Sequence, residues 1–311
     1  MDHPASHENG FLVIDKPEGL TSHQVVDKVR QRLELRRVGH LGTLDPLATG
    51  VLPIAVGKAT RLIQFLKNSR KVYQGTIHLG ITTETYDREG QILAEHQVPP
   101  LTMEQLHSLA LEFQGPRMQV PPQFSAKKIK GVPAYRLARR GKPVEIPPQE
   151  IVIHHLELSM QSDHELIFHM ECSAGTYVRS FASDFGKRLG CGAHLSRLRR
   201  ISSGDFSLAQ AISLEVLMAA ERAPLIQRLI PAGEVMKCVP GLQVDQKTKE
   251  SLAHGRPFIW AWPSDRSAPP ENLCVYFEGE LIGLVEPISP LEEGESPAVP
   301  VHKFQPRVVL L

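Results

Sequence analysis

The sequence predicts an α+β protein in two parts. Amphipathic helices stand beside alternating strands and a hairpin signature over the first 235 residues, and a run of short strands fills residues 236–311. Length agrees, because single cores usually stop growing near ~250 residues and this chain has 311. Hydrophobic residues at 41% and charged residues at 22% are ordinary globular usage, which argues against disorder, collagen or a membrane protein. The polar opening MDHPASHENG lacks an apolar targeting core, and no later run approaches the ~18 apolar residues of a membrane span. A cytoplasmic protein without membrane contact is the expectation.

The elements follow in order. FLVIDKP (11–17) reads as a short buried strand stopped by proline. TSHQVVDKVRQRL sets Thr21 and Gln24 at capping-box spacing and Val25, Val26, Val29 and Leu33 on one face, predicting a helix. GKATRLIQFL places Ala59, Leu62, Ile63 and Leu66 at helical spacing, and KVYQGTIHLG alternates as a strand. Residues 115–148, rich in Pro, Lys, Arg and Gly, read as a basic excursion from the core. Two apolar runs flank SDHE between 151 and 172, a hairpin pattern. GTYVRSFASDFGKRLG then carries Val178, Phe181, Ala182, Phe185 and Leu189 on one helical stripe, with Arg179 just off it and so not required to be buried. A weaker helix near 213–222 leads to a boundary near 235. Strand-like runs near 256–262, 273–278, 281–286 and 307–311 predict a small barrel or sandwich.

Cys172, Cys191, Cys238 and Cys274 are far apart and form no CxxC pair, which argues against a zinc ribbon, a redox dithiol or a disulfide framework; they read as buried thiols, and no metal site is expected. The net charge of +1 hides an asymmetry: residues 1–204 hold 26 Lys and Arg against 20 Asp and Glu, and residues 205–311 hold 9 against 14. The basic residues are clumped, as in Arg136, Arg139, Arg140 and Lys142 or Arg197, Arg199 and Arg200. Any one clump suits a solvated face; five in one stretch favour a polyanion such as nucleic acid.

GHLGTLDPLATG (39–50) sets three glycines, a proline and a histidine around one carboxylate, Asp45. As a phosphate cradle it fails, because the P-loop pattern needs Gly at 52 and Ser or Thr at 59, where the chain has Leu52 and Ala59. A glycosidase-like pair needs a second acid, and the next, Glu84 and Asp87, lie about forty residues on. A connecting turn is the plainest reading of such a loop taken alone.

The whole stretch GHLGTLDPLATGVLPIAVGKATRLIQFL, however, resembles the catalytic motif of the TruB family of tRNA pseudouridine synthases. LVIDKPEGLTSH, KVYQGTIHLGITTETYDREGQ, PPQFSAKKIKGVPAYRLARRG and GTYVRSFASDFGKRLGCGAHLSRLRRISSGDF resemble the family's other blocks in the same order, together spanning roughly residues 11–206. The tail, about 238–311, more weakly resembles the PUA RNA-binding fold. The resemblance implies a pseudouridine synthase catalytic domain of mixed, mostly antiparallel sheet flanked by helices, followed by a PUA-like domain. It implies isomerisation of uridine 55 in the TΨC loop of tRNA, without a cofactor or an obligate protein partner.

By the same resemblance Asp45 is the nucleophile or base, a role that suits an ionised carboxylate at a sugar centre. Arg179 is its partner, and an arginine within ~4 to 6 Å favours the charged form of a carboxylate. Tyr73 packs on the uracil, Tyr177 and Leu198 line its pocket, His40 fills the space that flipped bases leave, and Lys16 borders the site. Lys127, Lys128, Lys130 and Arg136 of a thumb-like insertion would contact phosphates, which positions RNA without reading its sequence. Two positions depart from the family pattern: Leu41 replaces a small hydroxyl residue and Phe124 a tyrosine. The rival readings are a noncatalytic RNA-binding or RNA-folding protein on the same scaffold, and a synthase for another RNA.

Overall fold

The computed structural model describes residues 8–141, 144–262, 268–290 and 301–311. Its first eighty residues supply β1 (Gly10–Lys16), α1 (Ser22–Leu33), β2 (Val38–His40), β3 (Thr49–Val56), α2 (Ile63–Leu66) and β4 (Lys71–Leu79). A two-stranded ribbon, β5 (Ile81–Thr83) and β6 (Ile92–Glu95), precedes α3 (Met103–Phe113). The basic excursion begins as an edge strand of the main sheet, β7 (Gly115–Gln119), and continues as a small hairpin, β8 (Lys128–Ile129) and β9 (Val132–Pro133), with α4 (Ala134–Ala138). Then come the expected hairpin, β10 (Gln149–Ser162) and β11 (Glu165–Cys172), the expected helix α5 (Val178–Leu189), and β12 (Ala193–Ser203), β13 (Phe206–Ser207) and β14 (Ile212–Ser213).

The main sheet runs β14-β1-β3-β12-β4-β11-β10-β7, with β2 on β3 and β13 on β12. It is antiparallel except at β1 with β14 and β3 with β12. Alternation explains why FLVI reads as an unbroken apolar run: Leu12 and Ile14 join the core beneath α1 and α5, whereas Phe11 and Val13 join a second core on the opposite face. β3 divides in the same way, with Leu52 and Ile54 on one side and Val51 and Ala55 on the other. α1 is held by the reciprocal Thr21 and Gln24 box and buries Val25, Val26, Val29 and Leu33. α5 buries Phe181 and Phe185, with the Phe181 ring 5.8 Å from that of Phe168 and 5.6 Å from that of Phe113.

Three short helices, α6 (Leu214–Ala219), α7 (Arg222–Gln227) and α8 (Ala232–Val235), replace the single weak helix expected near 213–222. The first break falls at Ala220 and Glu221, both extended. A five-stranded sheet follows in the order β15-β17-β18-β19-β16, formed by β15 (Gly241–Gln243), β16 (Phe258–Ala261), β17 (Leu273–Phe277), β18 (Glu280–Pro290) and β19 (Val301–Val309). α9 (Gln246–Ala253), between its first two strands, had no counterpart in the sequence reading. Cys274, Leu284 and Val308 of this sheet share a core with Phe11, Val13 and Val51 of the main one. No helix among the described residues is long and apolar enough to cross a membrane. Cys172, Cys191 and Cys274 are buried as expected, but Cys238 is exposed.

Candidate active site

The loop between β2 and β3 is pinned on both sides of Asp45. Leu44 and Leu47 point into the core, and Ser22 at the start of α1 both receives the Leu44 N–H (2.8 Å) and donates to the Leu44 carbonyl (3.0 Å). On the other side the Pro46 carbonyl accepts from Gly19 N–H (2.9 Å) and from Lys16 Nζ (3.1 Å). The fixed backbone leaves the Asp45 side chain 34% exposed.

Arg179 meets it edge-on. Nε donates to Asp45 Oδ2 at 2.9 Å and Nη2 to Oδ1 at 3.0 Å, the two-pronged geometry that only a guanidinium provides. The remaining donors are also occupied: Nη2 reaches the Phe124 carbonyl at 2.9 Å, Nη1 the Thr85 carbonyl at 3.1 Å, and Nη1 lies 3.4 Å from Asp87 Oδ2. Although off the apolar stripe of α5, Arg179 is therefore buried, because two carboxylates and two carbonyls replace its water. Asp87, buried itself, is held in turn by the Thr85 hydroxyl (2.5 Å) and the Glu89 N–H (3.0 Å). The second acid that sequence spacing left forty residues from Asp45 thus shares its arginine.

Tyr73, on β4, is buried beside Arg200, its register partner on β12. Burial pushes its phenol above the ordinary value, and the Arg200 charge opposes that shift. Tyr177 caps α5, where the Gln119 side-chain amide accepts its N–H (2.8 Å) and donates to its carbonyl (3.0 Å). Its phenol too is raised by burial, and both tyrosines feel the Asp45 charge. His40 Nδ1 accepts the Gly42 N–H at 3.3 Å, and burial, with Arg200 and His23 nearby, lowers its pKa.

Lys16, expected beside the substrate, is fully buried, and its Nζ donates to the carbonyls of Pro17 (2.8 Å), Leu20 (2.7 Å) and Pro46. Its contact is with the loop that carries Asp45. Burial lowers its pKa to about 8 against the opposing pull of Asp45. Leu198 lines a cleft of about 600 Å³ with Leu47, Gln74, Arg88 and Arg197. A larger cavity, about 980 Å³, lies between the two sheets and contains none of the expected site residues.

In the excursion, Gln123 closes the base by pairing with both the N–H and the carbonyl of Val144. Lys127 donates to Gln149 Oε1 at 2.9 Å, and Gln149 reaches the Gly175 carbonyl, tying the insertion to the start of α5. Lys128, Lys130 and Arg136 are exposed. Lys142 lies outside the described residues. The clump Arg197, Arg199 and Arg200 is not one charged face: Arg200 is buried, and Arg199 is bidentate to Asp15 at 3.0 and 2.7 Å. Both departures from the family pattern are absorbed here, Leu41 by burial in the second core and Phe124 by meeting Arg179 through its carbonyl.

Residues 30–178 match the model of the TruB family pseudouridylate synthase N-terminal domain, and residues 179–236 that of the tRNA pseudouridylate synthase B C-terminal domain. A tRNA pseudouridine synthase B from Solibacter usitatus is 43% identical over 91% of this chain and 97% of its own length. One from Geobacter sulfurreducens is 45% identical over 80% and 82%. Among solved structures, a Cbf5-Nop10-Gar1 complex aligns with TM-score 0.70 and 25% identity over 96% of this chain and 86% of the other. An archaeal box H/ACA sRNP Nop10-Cbf5 complex shares the fold at TM-score 0.71 and 21% identity, covering 99% and 88%.

The large, mostly antiparallel sheet and the curled second sheet are the pseudouridine synthase fold, an isomerase scaffold. Within that class the chain belongs to the TruB family of pseudouridylate synthases.

Proposed function

We propose that the chain isomerises uridine 55 in the TΨC loop of tRNA to pseudouridine, with Asp45 as the reacting carboxylate. The observation that carries this reading is the bidentate Arg179 grip on an aspartate that is still one-third exposed. The Arg199–Asp15 pair is bidentate and its aspartate about equally open, but its arginine is 39% exposed. Arg179 is 5% exposed and fixed by two carbonyls and Asp87 as well, so of the two aspartates only Asp45 is held rigid from behind and open in front. Names of the relatives supply the tRNA substrate.

The reaction breaks the N1 to C1′ bond, turns the uracil while it stays bound, joins C5 to C1′ and returns the C5 proton to solvent or N1. Asp45 serves either by adding at C1′ or by taking a 2′ proton to give a glycal. A uridine inside a folded loop must first be extruded, at a cost of a few kcal/mol. On this reading Tyr73 and Tyr177 border the everted base, Leu198 forms an apolar wall, His40 fills the vacated stack, and Lys16 supports the Asp45 loop. Stacking on such a tyrosine contributes about 1 to 3 kcal/mol per base. Lys128, Lys130 and Arg136 approach the T-arm phosphates. Residues 1–235 form the catalytic unit in the cytoplasm, and the acidic, PUA-like residues 236–311 support it.

The test is pseudouridine mapping on unmodified tRNA treated with the purified protein and with Asp45→Asn. Conversion at position 55 by the parent and none by the variant, with RNA still bound, is the expected pair of results. Conversion at a different uridine or in another RNA would redirect the substrate, and no conversion at all would favour an RNA-binding protein on this scaffold.

A further inference from the structure

Gly50, Arg200 and Tyr73 are register partners in one row across three adjacent strands, β3, β12 and β4. Arg200 is 1% exposed. Its Nε donates to the Val51 carbonyl at 2.7 Å and Nη2 to the Gly42 carbonyl at 3.1 Å; Nη1 stands 3.5 Å from the Thr43 carbonyl, and Tyr73 is its cross-strand neighbour on β4. Gly42 and Thr43 lead into Asp45, and Val51 lies just past the loop. One side chain thus ties both ends of the Asp45 loop together in the row that also holds Tyr73.

The loop cannot relax from this seat. Gly50 has φ +99°, and a Cβ there would fall 2.2 Å from the Arg200 carbonyl oxygen, so only glycine lets β3 meet β12 at this row. A plain brace would be better built from an apolar residue, since burying a cation costs several kcal/mol even after relaxation. Carbonyl dipoles offset that cost here, and the retained charge lies beside the Tyr73 phenol, where it opposes the rise in pKa that burial causes.

We propose that Arg200 is a positioning residue for the isomerisation, fixing the Asp45 loop and the Tyr73 phenol relative to each other from beneath. This rests on the reading of Asp45 as the reacting carboxylate with Tyr73 against the everted base. Arg200→Lys keeps the charge but cannot span the Val51 and Gly42 carbonyls in one plane. Under enzyme excess its single-turnover rate falls ~100-fold, the penalty of an ångström-scale misplacement, while RNA affinity stays near the parent's. In a Tyr73→Phe background the same change has a much smaller effect, because the phenol oxygen beside Arg200 is already gone.

A near-parental rate for Arg200→Lys, or losses that multiply in the double variant, would overturn the proposal. A second measurement does not need that variant to fold: in ¹⁵N-arginine-labelled protein, Tyr73→Phe shifts the slowly exchanging guanidinium resonance of Arg200, and an unmoved resonance also overturns it. Asp45→Asn separates the two claims. An active Asp45→Asn enzyme defeats the underlying reading, whereas an inactive one beside a fully active Arg200→Lys defeats only the Arg200 inference.

Discussion

Arg179 stands between Asp45 and Asp87, bidentate to the first at 2.9 and 3.0 Å and 3.4 Å from the second. The two carboxylates differ in exposure, 34% against 5%, so one is open to solvent and the other is enclosed as a fixed counter-charge to the arginine. Arg179→Met is expected to abolish activity and to strand Asp87 as an unpaired buried charge, lowering the unfolding free energy by about 3 to 5 kcal/mol. Urea denaturation of Arg179→Met and of Arg179→Met with Asp87→Asn measures this. The double variant should recover most of the stability and none of the activity.

Lys16 gives a pH dependence whose sign is fixed by burial. Its pKa is about 8 in the folded protein and 10.5 when exposed, so between those values the unfolded chain holds a proton that the native state has lost. Stability from this group is complete above pH 10.5 and is lost as pH falls toward 8. Relative to Lys16→Met, which removes the titration, the parent should gain up to about 1.4 kcal/mol per pH unit across that window. Taking the difference between the two proteins cancels Lys71, whose pKa is lowered to about 8 by burial as well. A difference that stays flat from pH 8 to 10 would show that Lys16 is solvated.

His40 titrates in the acid range with a comparable logic. Its folded pKa lies below 6.5 because burial and Arg200 disfavour the imidazolium, and its unprotonated Nδ1 holds the Gly42 N–H. Stability from this group is present above pH 6.5 and disappears as pH falls through the lower, folded-state value. Asparagine places an acceptor oxygen near the Nδ1 position without titrating. His40→Asn should therefore fold like the parent at neutral pH and lose less stability and activity between pH 6.5 and 5; thermal melts and rates across that range are the check.

What the sequence made legible was local. The capping box of Thr21 and Gln24, the apolar face of α1, the hairpin around SDHE and the stripe of α5 each depend on spacing within one element, and each stands where the pattern placed it. Asp45 and Arg179 were legible only through resemblance, since no periodicity links residues 134 positions apart. Arg200 was misread for a physical reason: RLRR looks like a charged surface, but in a central strand alternate residues face opposite sides, so neighbours in sequence meet different environments. Asp87 was visible only as an acid forty residues on and Ser22 left no signal, because their importance lies in what reaches them through space. α9 escaped because QKTKESLA buries only Thr248 and Leu252, too few apolar positions to mark a face.

Gly50 permits a direct test of the seat beneath the loop. Alanine there combines a positive φ with a Cβ 2.2 Å from a backbone oxygen that cannot swing aside. The conformational strain contributes about 1 to 3 kcal/mol, and the overlap adds to it by forcing β3 away from β12. Gly50→Ala should melt well below the parent and, where still folded, turn over slowly. Gly42, whose Cβ would meet Arg200 Nη1 at 3.6 Å and Lys71 Cε at 3.9 Å, both ordinary contact distances, is the control: Gly42→Ala should cost little stability.

The insertion offers a quantitative test of RNA contact. Lys128, Lys130 and Arg136 are exposed, whereas Lys127 donates to Gln149 and fastens the insertion to α5. If the exposed cations meet phosphates, each one removed eliminates a released counterion and flattens the plot of log affinity against log salt by about 0.7 to 0.9. Lys128→Ala, Lys130→Ala and Arg136→Ala should each lower affinity at low salt and reduce that slope, with little effect on the single-turnover rate at saturating enzyme. Lys127→Ala should do the reverse: the slope stays near the parent's, because its charge is already engaged, while the rate falls as the insertion and the Phe124 carbonyl at Arg179 lose their anchor. Filter binding from 50 to 200 mM salt, run beside single-turnover kinetics, separates the two patterns. Equal slopes for all four variants would place the RNA backbone elsewhere on the protein.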